Sequence, residues 1–400
     1  MLSASPLDKK RRMVMKRKLS WLLCGTLLAS LLTGCGGNAG GGNSADSGGN
    51  IRIGYFGPLT GGTAQAGQAA LNGAQLAVDE LNAGGGVLGR QVEIVSYDDK
   101  SSPEEAVKAA TKLVQVDKVN AIFGSLHSAN VQAAGPVIEE SQTLCVAGGT
   151  SPAWLEQGYT YLFRSISNST ISAKQLASYA DSQGLRRIAL FTSNDEYGTS
   201  GADAFKEACS SYDIQFVAGE TMTNGDRDFT GQFAKINVAS PDAVFIWCLG
   251  DDLSAVTKQL RQSGFNGTIL GSESYTLPEV LENSGDAANG VCFAAQYLVY
   301  ENPEDAEDAK MKDFLERYMA KFNAAPESDN AFRAYDGVMM IAEAMEASGV
   351  DRGPELRQAY NDIDGYVGLA GTFSYKGGNG EGIETMRIFE IQNGKYLEAE

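Results

Sequence analysis

From Ile51 onward, short β-rich apolar runs alternate with amphipathic runs of helical period, and this rhythm constrains the fold more than any single motif. Ile51–Phe56 reads as a strand, and Ala66–Leu81 then places Ala70, Leu71, Ala74, Ala77, Val78 and Leu81 on one helical face. Gln91–Tyr97 is the next strand. A helix follows Ser102-Pro103-Glu104-Glu105, which supplies a cap, a proline at the first helical position and acids in the first turn. Strand Ala121–Gly124, helix Ala129–Glu140 and strand Thr143–Ala147 complete a first βα lobe.

A second series starts with helix Ile171–Gln183 and repeats the rhythm. Its strands are Arg187–Thr192, Ile214–Ala218, Ala243–Leu249, Thr268–Leu270 and Val291–Tyr297, with helices near Tyr197–Cys209, Phe229–Ile236, Leu253–Ser263 and Leu277–Asn283. Two later helices, Glu304–Phe322 and Asn330–Ala347, need a sheet to cover, and the first lobe, with about four strands, is short of partners. The chain is therefore expected to cross back, with crossings near Ser165–Asn168, Tyr297–Asn302 and Leu369–Thr372. The expected fold class is α/β: two Rossmann-like lobes with parallel central sheets, residues 51–167 and 299–370 in the first, 168–298 and 371–400 in the second. Thr385–Gln392 and Lys395–Glu398 form a closing hairpin around Asn393-Gly394, a turn-forming pair.

The first 50 residues are of another kind. Lys16-Arg17-Lys18 precede the apolar run Leu19 to Leu32, which is short for a membrane span, and Leu32-Thr33-Gly34-Cys35 has the pattern at which a bacterial lipoprotein is cleaved and acylated. Residues 1–34 read as a signal peptide, with Met13 or Met15 as alternative starts, and Cys35 as the lipidation site. An uncleaved anchor is the alternative; either way the rest of the chain lies outside the cytoplasmic membrane. Gly36 to Asn50 has no core-forming residue and reads as a flexible tether of roughly 20 Å reach.

Seven of the 32 Lys/Arg and one of the 50 Asp/Glu precede Cys35, so the chain from Cys35 onward carries about −24. That charge argues against nucleic acid and anionic membrane surfaces as partners. Cys145, Cys209, Cys248 and Cys292 fall inside apolar patterns without metal-like spacing and read as buried free thiols. Gly84-Gly85-Gly86-Val87-Leu88-Gly89 matches G-x-G-x-x-G but follows a helix and precedes a strand, the reverse of the order that aims amides at a pyrophosphate. The single histidine, His127, has no nucleophile–base–orienter relay around it in sequence, and no cluster has zinc spacing. No cofactor, metal or catalytic residue is expected.

What remains points to a ligand. In parallel α/β sheets, ligands bind beyond the carboxyl ends of strands. Ser125-Leu126-His127-Ser128 opens a helix with Ser128 as its expected N-cap, and Gly148-Gly149-Thr150-Ser151-Pro152 offers a close backbone approach and the Thr150 hydroxyl. In the second lobe, Gly271-Ser272-Glu273-Ser274-Tyr275 brings a carboxylate and Asn194-Asp195-Glu196-Tyr197-Gly198 an aromatic ring. Anion-binding amides facing a carboxylate and a ring suit a small zwitterion. Ser128 and Thr150 could equally cap and turn with no ligand.

The run IGYFGPLTGGTAQAGQAALNGAQLAVDELNAGGGVLGRQVEIVSYDDKSSPEEAV, then GSLHSANVQAA, GGTSPAWL, NDEYG and GLAGTFSYKGGNGEG, resembles the branched-chain amino acid type of ABC-transporter solute-binding protein, a type I periplasmic-binding fold. The resemblance covers residues 51–400 in order. It implies two lobes joined by three crossings, a ligand trapped between them, and delivery to an ABC permease; a monomer is the default expectation. By motif it implies that Ser128 and Thr150 bind a carboxylate, that the Gly148 carbonyl and Thr150 hydroxyl lie near an ammonium, that Glu273 is the ammonium's counter-charge, and that Tyr197 closes on the ligand. Tyr275 and Trp154 stand beside these as further candidates, together with Asp251. Ala66 replaces a large aromatic frequent in the family, and Asp251-Asp252 replaces aromatic or apolar residues, which implies a roomier pocket for a larger, polar or cationic amino acid. Two other readings stay open: a binder of an amide, urea or aromatic acid in the same fold, and a lipoprotein that regulates an envelope enzyme by protein contact.

Overall fold

The computed structural model describes residues 49–400 except Glu307, Glu384, Thr385, Glu400 and the side chain of Asp251. The signal segment, Cys35 and most of the tether lie outside the described residues. Among the described residues no helix is long and apolar enough to cross a membrane.

The first sheet is built from β1 (Ile51–Gly57), β2 (Val92–Asp98), β3 (Ala121–Gly124), β4 (Leu144–Ala147) and β5 (Leu162–Arg164), in the order β2-β1-β3-β4-β5 with every pairing parallel. Between these strands run α1 (Ala64–Ala83), α2 (Pro103–Thr111), α3 (Ser128–Ser141) and the short α4 (Ala153–Glu156). β1 is buried on both faces, as a central parallel strand must be. Ile51, Ile53 and Tyr55 point into one apolar layer and Phe56 into the other. β5 is a strand that the sequence pattern missed, because three residues carry no readable alternation.

The second sheet follows α5 (Ser169–Ser182). Its elements are β6 (Arg187–Ser193), α6 (Glu196–Cys209), β7 (Gln215–Met222), α7 (Thr230–Val238), β8 (Ala243–Trp247), α8 (Gly250–Gln262), β9 (Thr268–Gly271), α9 (Pro278–Ser284) and β10 (Val291–Ala295). The chain then forms α10 (Ala309–Phe322), α11 (Asn330–Ser348), α12 (Gly353–Asn361) and a small hairpin of β11 (Asp364–Val367) and β12 (Thr372–Ser374). It ends with β13 (Arg387–Gln392) and β14 (Lys395–Glu398), which turn at Asn393-Gly394 and extend the second sheet to seven strands in the order β14-β13-β10-β9-β8-β6-β7.

α10 and α11 cover the first sheet: Phe314, Leu315, Phe332 and Val338 share one core with Ile53, Tyr55 and Val146. α11 runs close against α1, where a Cβ on Gly73 would lie 2.0 Å from the Ala331 carbonyl oxygen. The backbones can meet there only because the side chain is missing.

Three crossings join the lobes. β5 ends at Arg164 and α5 starts at Ser169, so the first occupies residues 165–168. The second comes directly after β10, since Tyr297 and Val299 are already in the first lobe's core. The third is later than the expected Leu369–Thr372, and residues 371–383 are not part of the second lobe. β12 pairs with β11, and Phe373, Tyr375 and Ile383 are buried in the first core. The Tyr375 hydroxyl donates to the Arg164 carbonyl at 2.7 Å, and Arg164 N donates to Gly380 O at 2.8 Å. Aromatic burial with a satisfied hydroxyl holds this segment to the first lobe, so the chain reaches the second sheet only at Arg387.

Gly84–Gly89 forms the turn between α1 and β2. All four described cysteines are free and buried.

Candidate functional site

A cavity of about 210 Å³ lies between the two lobes. Its lobe 1 wall carries Ala66, Ser128, Gly148 and Thr150, and its lobe 2 wall Tyr197 and Glu273.

The lobe 1 wall begins where β3 turns into α3. His127, not Ser128, occupies the N-cap position, and its side chain makes no capping bond. Ser128 is instead the first helical residue, and its Oγ accepts from Ser151 N at 3.1 Å, which leaves the hydroxyl proton available. The first-turn amides of α3 have no acceptor within their own helix. Ser128 thereby ties the helix to the loop after β4. That loop passes so near that a Cβ on Gly149 would lie 2.9 Å from Ser128 Cα. Thr150 is buried, and its Oγ1 has no hydrogen-bond partner in the protein.

Arg164, fully buried at the end of β5, supports the loop from below. Its guanidinium donates to the carbonyls of Gly149 and, at 2.8 Å, Ser151, pairs with Glu381 at 2.8 Å and lies over the Trp154 ring, 4.1 Å from the centroid. Trp154 is therefore not a cavity residue. Fully buried, it donates from Nε1 to Gly149 O at 3.2 Å and serves as a floor under the loop.

On the opposite wall Glu273 follows β9 as the first residue of a 3₁₀ turn. Its Oε1 accepts from the Tyr197 hydroxyl at 3.1 Å, while Oε2 is buried without a partner. Tyr197 sits in the first turn of α6, where the Asp195 cap accepts from Gly198 N at 2.9 Å, and its ring packs 5.6 Å from Trp247. Tyr275 turns away from the cavity. It is fully buried in the second lobe's core with its hydroxyl 2.6 Å from Thr257 Oγ1, because a large ring with a local partner gains most by burial. The side chain of Asp251 lies outside the described residues; Asp252 is buried and pairs with Arg227 at 2.5 Å.

The structure adds residues that the sequence reading missed. Asp329, Asn330 and Arg333, at the start of α11, line the same cavity. Arg333 donates to Asp329 through Nε at 2.9 Å, and its Nη1 lies 3.5 Å from the Gly148 carbonyl. The available signal was a lone arginine in the apolar stretch Ala331-Phe332-Arg333-Ala334-Tyr335. Ser151 Oγ of the first lobe donates to Glu196 Oε1 of the second at 2.8 Å and links the lobes.

Electrostatically the walls differ. Arg333 and Asp329 neutralise each other, and the guanidinium is held above its ordinary value: burial works against its charge, but the Asp329 carboxylate outweighs that. Glu273 has no such partner. Burial pushes its carboxyl above the ordinary 4.5, only partly opposed by the Arg333 charge and the Tyr197 bond. One wall thus offers hydroxyls and first-turn helix amides, the other a Glu273 carboxyl with no cation paired to it. No group of side chains among the described residues could hold a metal ion.

Residues 50–395 match the family model of the periplasmic binding proteins. The chain is 29% identical over 301 residues to the leucine-, isoleucine-, valine-, threonine- and alanine-binding protein of Pseudomonas aeruginosa, covering 75% of this chain and 79% of that one. Among solved structures it is similar to a leucine binding protein from Thermotoga maritima (TM-score 0.80, 26% identity, 88% of this chain and 98% of that one). It is also similar to the branched-chain amino acid transporter substrate binding protein LivJ from Streptococcus pneumoniae in complex with isoleucine (TM-score 0.78, 28% identity, 88% and 100%). With the two-lobed parallel α/β architecture and the cavity between its lobes, this match over nearly the whole described chain establishes that the protein belongs to the periplasmic binding protein family.

Proposed function

We propose that the protein captures a free amino acid in the cavity between its lobes and hands it to an ABC importer, tethered to the membrane by a lipid on Cys35. The observation that carries the reading is the Glu273 carboxylate, buried with one oxygen unpartnered, lining the same cavity as Ser128 and Thr150. An unpaired buried charge is costly, and an ammonium would offset that cost. The Ser128 and Thr150 hydroxyls and the α3 amides then take the ligand's carboxylate, and Tyr197 covers it from the second lobe. Closure is favoured because only the closed state offers both walls at once. A handful of charge-assisted bonds at roughly 1.5–3 kcal/mol each supports a dissociation constant near micromolar, about −8 kcal/mol.

A thermal-shift screen of the full chain, freed of co-purified ligand, against the twenty amino acids tests the reading. Ligand at ~100 times its Kd stabilises by about 2.7 kcal/mol, a clear rise in Tm. If no amino acid raises Tm, the reading fails. The anchor has its own test: labelling with a radioactive fatty acid should be present in the expressed protein and absent from Cys35→Ser.

A further inference from the structure

The groups assigned to the amino and carboxyl ends of a ligand occupy only part of the cavity. A second polar cluster also lines it. Thr63, Ser101 and His127 all line the cavity, and Thr63 Oγ1 lies 3.0 Å from Ser101 Oγ and 3.2 Å from His127 Nε2. Thr63 holds the N-cap position of α1 but makes no capping bond, so its hydroxyl serves the cluster and not the helix. Ser101 is fixed by its amide, which donates to the buried Asp99 at 2.9 Å.

From the second lobe Asp195 and Asn224 line the same cavity, with Asn224 Nδ2 donating to Asp195 Oδ2 at 2.8 Å. The loop carrying Asn224 is held by Asp252, which accepts from Gly225 N at 3.0 Å and pairs with Arg227. The two clusters bear on each other: the Asp195 carboxylate acts on the His127 ring, as does Asp99, although burial dominates and keeps His127 below its ordinary value.

We propose that this cluster is a subsite for an uncharged hydrogen-bonding side chain, an amide or hydroxyl, built by Thr63, Ser101 and His127 of the first lobe with Asp195 and Asn224 of the second. The inference rests on the amino-acid reading given above. An aliphatic side chain laid over this cluster would strip its water and return no hydrogen bond, a cost per group that sites built for polar ligands use to reject apolar analogues. An acidic side chain would meet the charges of Asp99 and Asp195. A cationic one would be drawn by the same charges, but Asp99 is fully buried beneath Ser101 N and Ser125 Oγ, and Asp195 already accepts from Gly198 N, Ser193 Oγ and Asn224, so neither presents a bare oxygen as Glu273 Oε2 does. Neutral His127, with one donor and one acceptor nitrogen, suits an amide or hydroxyl that can answer either.

The test is calorimetric titration of the ligand-free full chain with glutamine, asparagine, threonine and serine against leucine, isoleucine, valine, aspartate, glutamate, lysine and arginine. At least one amide or hydroxyl amino acid should bind ~10-fold or more tightly than any of the others. In Thr63→Val/His127→Phe that preference over leucine should fall by about tenfold, and in Thr63→Val alone, which keeps every helix cap, by about fivefold. Tightest binding of an aliphatic or charged amino acid, or a preference unchanged in Thr63→Val, overturns the subsite and leaves the amino-acid reading standing. Binding of none of them overturns both.

Discussion

Glu273→Gln preserves the shape of the second-lobe wall and an oxygen for the Tyr197 hydroxyl, and removes only the charge. Two effects of opposite sign follow. Without the carboxylate, a bound ammonium loses its counter-charge in a buried site; truncating one partner of such a pair costs about 2–5 kcal/mol. Glutamine still presents a neutral acceptor, so the lower end applies, ~30-fold weaker binding at pH 7. The ligand-free protein changes the other way. Burial raises the Glu273 carboxyl above 4.5, so the stability tied to this group is fully present below the unfolded value and is lost as pH rises through the folded one. At neutral pH the wild type bears that loss and the glutamine variant does not. Thermal unfolding without ligand should therefore show the variant at least as stable as wild type at pH 7, with its advantage vanishing toward pH 4. Calorimetric titration supplies the affinity. Equal affinity for wild type and variant, or a variant that melts lower at pH 7, would refute the assignment of Glu273 as a buried carboxylate waiting for a cation.

Two further substitutions probe the scaffold of the lobe 1 wall. Arg164→Met leaves Glu381 and the Gly149 and Ser151 carbonyls without their donor; urea unfolding should show a loss of about 3 kcal/mol, with ligand affinity falling as the loop loosens, and unchanged affinity would mean that the loop needs no support from below. Gly149→Ala forces a methyl to within 2.9 Å of Ser128 Cα; overpacking of about 1–3 kcal/mol should separate the loop from α3 and weaken binding ~10-fold with circular dichroism unchanged, and wild-type affinity would show that the close approach is not needed.

How far the chain could be read in advance depended on whether a feature was local. Ser128, Thr150, Tyr197 and Glu273 follow strands, and the rule that ligands sit beyond the carboxyl ends of parallel strands singles out all four, which line the cavity. Trp154 and Tyr275 follow strands too, but large rings with partners close at hand go to the core. Arg333 and Asp329 were overlooked because α11 is buried along most of its length, and periodicity reads such a helix as core throughout. The late third crossing escaped for a related reason: nothing in Gly371–Ile383 states which lobe will bury Phe373 and Tyr375.

Most of the order of elements, the α/β class and the loops that line the cavity were determined by sequence alone, because hydrophobic period, caps and turn residues act over a few neighbours. Tertiary structure alone decided that Thr63, His127, Asp195, Glu273 and Arg333 line one cavity. It also left the Glu273 carboxylate unpaired while pairing Asp252 and Asp329. Charge acts through space, and the partner of a buried charge is set by which segments the fold brings together, a fact that no local pattern records.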